Sequence, residues 1–340
     1  MLKSLAFKLT RDVRRQSPAI LLGRRTFARG FERRLRQRWR KGLNLLELLL
    51  CLCLDEGGTF NQRHRPVATI NSDFVFDALV RLHARGCQIT SEVLALLKTG
   101  HPDGANARWR SLHETAVTAR FIAKHGNGTA ERFLLHEGIK VYEDAPSYQE
   151  HAERLNCEAF SEREMRDKEA LYKALLEKFG DDYKGGYGWA SHALRGLDPP
   201  HKGSISFFHI EKSVGVPHFQ PYYRMASHSI HADAKSIRFS LGIITPSLLI
   251  PAGPSNAGLA SPGQNTAISL ASLTATLLSH RVTGQPTIED AAEDGAVMLT
   301  IQTFVQECCL AWVAADERLH ADEDRDRRRF RKKTKPDNQT

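Results

Sequence analysis

Residues 72–100, SDFVFDALVRLHARGCQITSEVLALLKTG, decide the class of fold. Apolar side chains recur there about three or four positions apart, which is the spacing of one face of an α-helix. Gly86 falls within this pattern and predicts a break or a bend. The stretch predicts helix because its apolar and polar residues do not alternate as they do in a strand. The recurring apolar positions are Phe74, Leu79, Leu82, Val93, Leu94, Leu96 and Leu97.

The flanking sequence extends the same pattern in both directions. Upstream, residues 27–54 predict a first helix that ends at the sequence DEGG and is followed by a polar loop. Downstream, residues 101–128 predict a helix whose start is capped by Asp103 and whose end is set by Gly126. One predicted helix therefore flanks the deciding stretch on each side.

The second half of the chain adds loops rich in glycine and proline. Residues 181–217 predict a long ordered loop with one short helix, and residues 243–265 contain too many prolines for a long helix and can hold a short hairpin. The last helix is apolar nearly all round between Val297 and Ala315, which predicts a central place in the bundle or a subunit contact. We predict an all-α multi-helix bundle with long Gly/Pro-rich loops and at most one short hairpin.

Charge divides the chain into three parts. The net charge is +9, but residues 1–42 carry fourteen Lys and Arg against two acids, and residues 325–340 carry eight against two. The middle of the chain is therefore acidic. We predict a basic-to-apolar helical segment over residues 1–60, a helical core domain over 61–324 and a disordered basic tail over 325–340.

The basic ends predict a polyanionic partner. Phosphate backbones attract clustered Lys and Arg, so RNA or another nucleic acid is the expected partner, and an anionic membrane surface is the alternative. No apolar run reaches the length of a membrane span, and the six cysteines form no C-x-x-C pair. We expect a cytoplasmic protein without metal or cofactor, although the Arg-rich start is also typical of a mitochondrial presequence.

The first candidate site lies in RWRSLHETAVTAR, residues 108–120. Arg110 and Glu114 are one helical turn apart, with His113 beside them. Charges on a buried helix need partners, since unpaired burial costs several kcal/mol. The alternative is a structural Arg–Glu pair that ties neighbouring helices. Val117 stands where a zinc metalloprotease would need its second histidine, so the stretch is no zinc motif.

The second candidate site lies in YYRMASHSIHADAK, residues 222–235. In a helix that begins near Pro221, Tyr223, Ser227 and His231 share one stripe, and Arg224 lies on the adjacent one. Tyr, Ser, His and Arg together suit proton transfer and anion stabilisation. The alternative is a row of polar groups that are hydrogen-bonded inside the bundle. We predict that this helix contacts Arg110, because polar groups on apolar helices need each other's hydrogen bonds.

The two stretches together resemble a bacterial family of helical proteins, the domain of unknown function 5677. The resemblance covers about residues 70–240 and consists of an R-S-L-x-E helix followed by a later Y…S…H segment. The positions that match are Arg110, Glu114, Tyr223, Ser227 and His231. The resemblance implies a helical fold and the position of a site, and it implies no activity.

A looser resemblance is to the HEPN-type ribonucleases of bacterial conflict systems. These proteins are all-α and usually dimeric, and they carry an Arg followed by a His after a short spacer. Arg224 with His231 and Arg108 with His113 have such spacing, although Met225 replaces the polar residue that usually follows the arginine. This resemblance implies a metal-independent ribonuclease in phage defence and a homo-oligomer. A non-catalytic helical scaffold or sensor is the competing hypothesis.

Overall fold

A single helix, α1, forms the first fifth of the chain. The computed structural model describes residues 1–195, 205–228, 230, 240–243, 252–282 and 288–333. Helix α1 spans Leu2–Ile70 and runs beside α2, Phe74–Lys98, and α11, Ile288–Lys333. No strand occurs in the described residues, and the predicted all-α bundle is confirmed.

The remaining helices pack on α2 and on each other. Helix α3, Pro102–His125, lies along α2, and α10, Ala260–Leu278, packs against α2, α3 and α11. Helix α3 also contacts three shorter helices, α4 Asn127–Leu135, α8 Phe207–Ser213 and α9 Gln220–His228. Helix α5, Glu137–His151, packs on α4 and on α6, Glu162–Phe179, and α7, Ser191–Leu194, packs on α8. Helix α9 begins where the sequence predicted, near Pro221, and packs on α3.

Trp312 joins α1, α10 and α11 at the centre of the bundle. Its indole is fully buried and lies between Gly42 of α1 and Gly263 of α10. A Cβ atom at Gly42 would lie 2.8 Å from the ring, and one at Gly263 would lie 2.4 Å from it. Trp39 contacts the same indole with ring centroids 5.5 Å apart. The two glycines therefore let three helices converge on one large side chain.

Two glycines predicted to end or break helices do neither. Helix α1 continues through the DEGG sequence and the predicted polar loop, and α2 continues through Gly86. A Cβ at Gly57 would lie 2.3 Å from the His83 ring, and one at Gly86 would lie 2.2 Å from Leu273. These predictions were wrong because the glycines serve close packing between helices, whereas Gly126, with φ of 77°, does end α3 as predicted.

Two further predictions are corrected, and the predicted hairpin stays a prediction. Asp103 does not cap α3, because its carboxylate accepts hydrogen bonds from the Ser240 hydroxyl and the Leu241 backbone N–H. The predicted disordered tail is helical as far as Lys333, where α11 ends.

The described residues within 243–265 include no strand, and residues 244–251 of the predicted hairpin lie outside the described ranges. The boundary predicted after residue 60 falls inside α1, and the division into domains stays a prediction.

Helix α11 is buried along one side only. Cys308 and Trp312 point into the core, whereas Leu299, Leu310 and Val313 are exposed. The predicted central position in the bundle is therefore wrong, and the alternative of a subunit contact stays a prediction. By length and composition alone, the section Ala292–Arg329 could cross a membrane, and core helices of soluble proteins pass the same test.

Candidate active site

Arg110, Glu114 and Tyr223 form one hydrogen-bonded group between α3 and α9. The i, i+4 spacing places Arg110 and Glu114 on the same face of α3, with Nη2 of Arg110 3.0 Å from Oε1 of Glu114. The same Nη2 donates to the Tyr223 hydroxyl at 2.6 Å, and that hydroxyl donates to Oε1 of Glu114 at 2.5 Å. The predicted contact between Arg110 and the Tyr223 helix is confirmed. We call these three residues the Arg110 centre.

The guanidinium of Arg110 also makes a cation–π contact with the phenol ring of Tyr223. The guanidinium carbon of Arg110 lies 4.6 Å from the centroid of the Tyr223 ring. Burial raises the pKa of Tyr223 above its ordinary value, and the hydrogen bond and negative charge of Glu114 raise it further against the opposing effect of Arg110. Tyr223 therefore stays protonated at neutral pH and can donate a hydrogen bond or a proton.

The Arg110 centre is only partly closed to solvent. The side chains of Arg110 and Glu114 are 25% and 33% exposed. Nε of Arg110 is nevertheless buried and makes no hydrogen bond to any described residue. One turn earlier on α3, the amide of Asn106 is fully buried and also pairs with no described residue. A buried donor without an acceptor costs about 1–3 kcal/mol, so these groups are not explained by structural pairing alone.

His113 lies in a separate, closed cluster. Its Nε2 is 2.7 Å from Oε1 of Glu211 on α8, and the other oxygen of Glu211 accepts from the Gln220 side chain. His113 is 4% exposed and Glu211 is fully buried. The imidazole packs among aromatic rings that include Phe207 and Phe219. This placement favours a structural role for His113, because no substrate reaches a ring enclosed on all sides.

The other residues of the predicted helical stripe lie in different surroundings. The Ser227 hydroxyl donates to the Tyr223 carbonyl at 2.8 Å, a bond within α9 that leaves it little to offer a ligand. Arg224 is exposed on α9, beside Tyr223 in the chain. His231 lies outside the described residues. Of the stripe, Tyr223 is the described member that contacts the α3 motif.

Several residues around the site were missed in the sequence. Glu211 stands alone in FFHIEKSV, and Gln220 and Asn106 belong to no motif. Tyr187 borders the Arg110 centre, since burial and then the charge of Glu114 raise the pKa of its phenol. The available signal for Glu211 was an acid flanked by apolar residues at helical spacing, which predicts a buried carboxylate that needs a partner.

A buried group of sulfur and nitrogen atoms lies between α1, α2 and α10. Nε2 of His83 is 3.0 Å from the Thr274 hydroxyl, and Sγ of Cys87 is 3.8 Å from the same nitrogen. Burial raises the pKa of Cys53 to about 11 and that of Cys87 to about 12. Both thiols therefore stay protonated at neutral pH and are poor nucleophiles.

Basic clefts flank α1 where it meets the body. One cleft of about 820 Å³ is bordered by Arg34, Arg38, Arg318 and Arg325, with Asp322 bonded to Arg38 at 2.8 Å. A second of about 830 Å³ lies on another side of α1. Its basic lining consists of Arg29, Arg33, Arg36, Arg40 and Lys98. Over the described ranges, no three His, Cys, Asp or Glu side chains are grouped so that they could hold a metal ion.

Comparison with known proteins identifies the family. The model of a family of unknown function, DUF5677, matches residues 76–244, a stretch that runs from α2 through α9 and contains all three residues of the Arg110 centre. No curated protein and no solved structure matches the chain, and nothing in the comparisons supports the resemblance to HEPN-type ribonucleases. Through residues 76–244, the chain belongs to the family of unknown function DUF5677.

Proposed function

We propose that this protein binds RNA and cleaves it without a metal ion, with the Arg110 centre as the catalytic group. The observation that carries the proposal is the state of Arg110, whose guanidinium is partly exposed and is held in place by Glu114 and Tyr223. A phosphate oxygen matches such a donor, because guanidinium N–H groups bind phosphate through paired, charge-assisted hydrogen bonds.

The chemistry requires only groups that the Arg110 centre contains. RNA carries its own nucleophile, the 2′-hydroxyl. In the proposed reaction Glu114 takes the proton of that hydroxyl, and the 2′-oxygen attacks phosphorus as the bond to the 5′-oxygen breaks. Arg110 stabilises the added negative charge, and Tyr223 donates the proton that the leaving 5′-oxygen needs. The products are a 2′,3′-cyclic phosphate and a 5′-hydroxyl.

Two residues predicted from the sequence complete the proposal. His231 is the proposed alternative proton-transfer group, since an imidazole titrates near neutral pH. Arg224, exposed on α9, is the proposed second cation for the phosphate. Both roles rest on the sequence.

In this proposal the basic clefts beside α1 bind the RNA backbone. Arg34, Arg38, Arg318 and Arg325 face one cleft. Lys and Arg at such sites release counterions when they bind phosphates, so the affinity for RNA should fall steeply with added salt. In this proposal the protein acts in the cytoplasm as a homo-oligomer in defence against phage.

The closed cluster around Glu211 favours a second candidate, a non-catalytic helical scaffold. Its imidazole, carboxylate and amide are buried and bonded to one another, as members of a structural hydrogen-bond network are. In a scaffold, the Arg110 centre would be a second structural hydrogen-bond network between helices. The two candidates differ in what the removal of one group does to stability.

We expect Arg110→Lys, Glu114→Gln and Tyr223→Phe each to lower the rate of RNA cleavage in the presence of EDTA by about a hundredfold. Melting temperatures should stay close to that of the wild type, because each replacement keeps the volume of the side chain. The assay follows labelled total RNA and the appearance of cyclic phosphate ends.

Arg166→Lys and Glu162→Gln are matched controls. They alter another Arg–Glu pair at i, i+4, which is exposed on α6. Both controls should cleave at the wild-type rate. The scaffold hypothesis predicts instead that the three variants of the Arg110 centre melt at lower temperature and that wild-type protein cleaves no RNA.

A further inference from the structure

The first part of α1 extends beyond the body of the protein. Residues 2–30, which we call the N-terminal arm, are largely exposed, and Phe31 is the first large side chain that packs on the core. The helix continues through Pro18, which cannot donate to the Arg14 carbonyl. The Ser17 hydroxyl donates to that carbonyl at 2.8 Å and takes over the missing bond.

The N-terminal arm has an apolar stripe that is largely exposed among the described residues. At roughly 3.6 residues per turn, six large apolar side chains fall within about 80° of the helix circumference. Each is between 54% and 80% exposed. Exposed apolar side chains grouped along one side of a helix indicate a binding surface, and here Gln16 and Gly23 lie between them. The stripe consists of Leu2, Leu5, Leu9, Val13, Ile20 and Phe27.

The opposite side of the N-terminal arm is strongly basic. Residues 1–30 contain eight Lys and Arg and a single acid, Asp12. Most of the cations point away from the stripe, while Arg24 lies at its edge, where a long side chain can reach the headgroups. Phe7, Leu21 and Leu22 are apolar residues on the basic side. The main basic residues are Lys8, Arg11, Arg14, Arg15, Arg25 and Arg29.

We propose that the N-terminal arm lies on an anionic membrane surface, with the apolar stripe buried at the boundary between headgroups and acyl chains. A helix with Leu and Phe on one face, Lys and Arg on the other and low net hydrophobicity is suited to this interface. Anionic headgroups complement the excess of positive charge, and each Lys or Arg near such a surface strengthens the attraction.

The two other occupants fit the N-terminal arm less well. A nucleic acid would bind the basic side and leave the apolar stripe in water, so it explains half of the pattern. A second copy of the arm would bring two strongly positive helices together, and Gln16 and Gly23 interrupt the seam that a coiled coil needs. An anionic lipid surface accounts for the stripe and the charge together. This inference is independent of the proposed ribonuclease activity.

Flotation of the full chain with vesicles tests the proposal. The vesicles contain either phosphatidylcholine alone or equimolar phosphatidylcholine and phosphatidylglycerol. The wild type should bind the anionic vesicles more than about tenfold more tightly than the neutral ones. Two variants separate the contributions: a stripe variant, Leu9→Ser with Val13→Ser and Ile20→Ser, and a charge variant, Arg11→Gln with Arg14→Gln and Arg15→Gln.

Both variants should lose more than about tenfold in affinity for anionic vesicles. Leu171→Ser is the matched control, since it removes an exposed leucine from α6. It should bind like the wild type. All replaced side chains are exposed, so circular dichroism and melting should show an unchanged body. RNA binding and sedimentation equilibrium are measured on the same proteins.

Three results would overturn the proposal. The first is failure of the wild type to float with anionic vesicles at low salt. The stripe variant could bind them as well as the wild type while the charge variant loses binding to RNA, which identifies a nucleic-acid arm. A doubled mass in solution that the stripe variant abolishes, without vesicle binding, identifies a second copy as the occupant.

Discussion

Trp312→Ala is expected to lower the free energy of unfolding by about 3–5 kcal/mol, because it removes the largest side chain at the junction of α1, α10 and α11. The indole is fully buried and is held between Gly42 and Gly263, whose backbones cannot move in to fill the space. Urea unfolding, followed by circular dichroism at 222 nm as a standard helix signal, measures the change. Loss of only a few tenths of a kcal/mol would show that the three helices do not depend on this contact.

Gly263→Ala tests the same junction from the other side. The added Cβ would lie 2.4 Å from the indole, so the helices must separate, at a cost of about 1–3 kcal/mol. Gly295→Ala is the matched control in α11, because a Cβ there has no atom within 4 Å. That control should be neutral or slightly stabilising, since alanine favours helix over glycine.

Acidification is expected to remove stability through His83. Burial lowers the pKa of this imidazole to about 4 from its ordinary value of 6.5. As the pH falls below about 6.5, the unfolded chain binds the proton while the folded protein does not, so stability is lost down to about pH 4. The contribution of His83 over that window is on the order of 3 kcal/mol, and above it the contribution is constant.

His83→Gln isolates this contribution. Glutamine keeps a hydrogen-bond donor for the Thr274 hydroxyl but does not titrate. The free energy of unfolding of the variant should therefore depend less on pH between about 4 and 6.5 than that of the wild type. Urea unfolding at a series of pH values gives the two curves. If the variant folds too poorly, an NMR titration of the wild type measures the pKa of His83 directly. Equal slopes, or a pKa near 6.5, would contradict the expectation.

The sequence predicted the class of fold but misjudged several glycines. Apolar spacing establishes helices because each helix buries one face, and that signal is local. Gly57 and Gly86 have the same local signal as a helix end, but their role depends on His83 and Leu273, which approach from other helices. Helix ends with a positive φ, such as Gly126, are local features and were predicted correctly.

The sequence predicted the contact between the two helices of the candidate site, because their polar side chains needed hydrogen-bond partners. Arg110 and Glu114 on one helix and Tyr223 on another are polar groups among apolar neighbours, and this led to the expected contact. The prediction that Asp103 caps α3 was wrong. An acidic side chain near a helix start can also accept hydrogen bonds from a distant segment, here from residues 240 and 241. A polar side chain can have two chemically suitable partners. Tertiary packing decides which of them it contacts, and the spacing of residues in the sequence does not show that packing.

The proposed reaction requires that Arg110 binds a phosphate group of RNA. An NMR titration of Arg Nε–H resonances measures this binding, with Arg110→Lys used to assign the signal. The ligand is an RNA oligonucleotide with 2′-deoxy substitutions, which binds but lacks the nucleophile for cleavage.

The Arg110 Nε–H signal should shift as the oligonucleotide is added, because a phosphate bound to the partly exposed guanidinium changes the surroundings of its Nε–H. Arg166, exposed on α6, provides a reference signal that should not move. If the oligonucleotide binds and shifts signals from the clefts beside α1 while the Arg110 signal stays unchanged at saturation, the claim is contradicted and the Arg110 centre is a structural network.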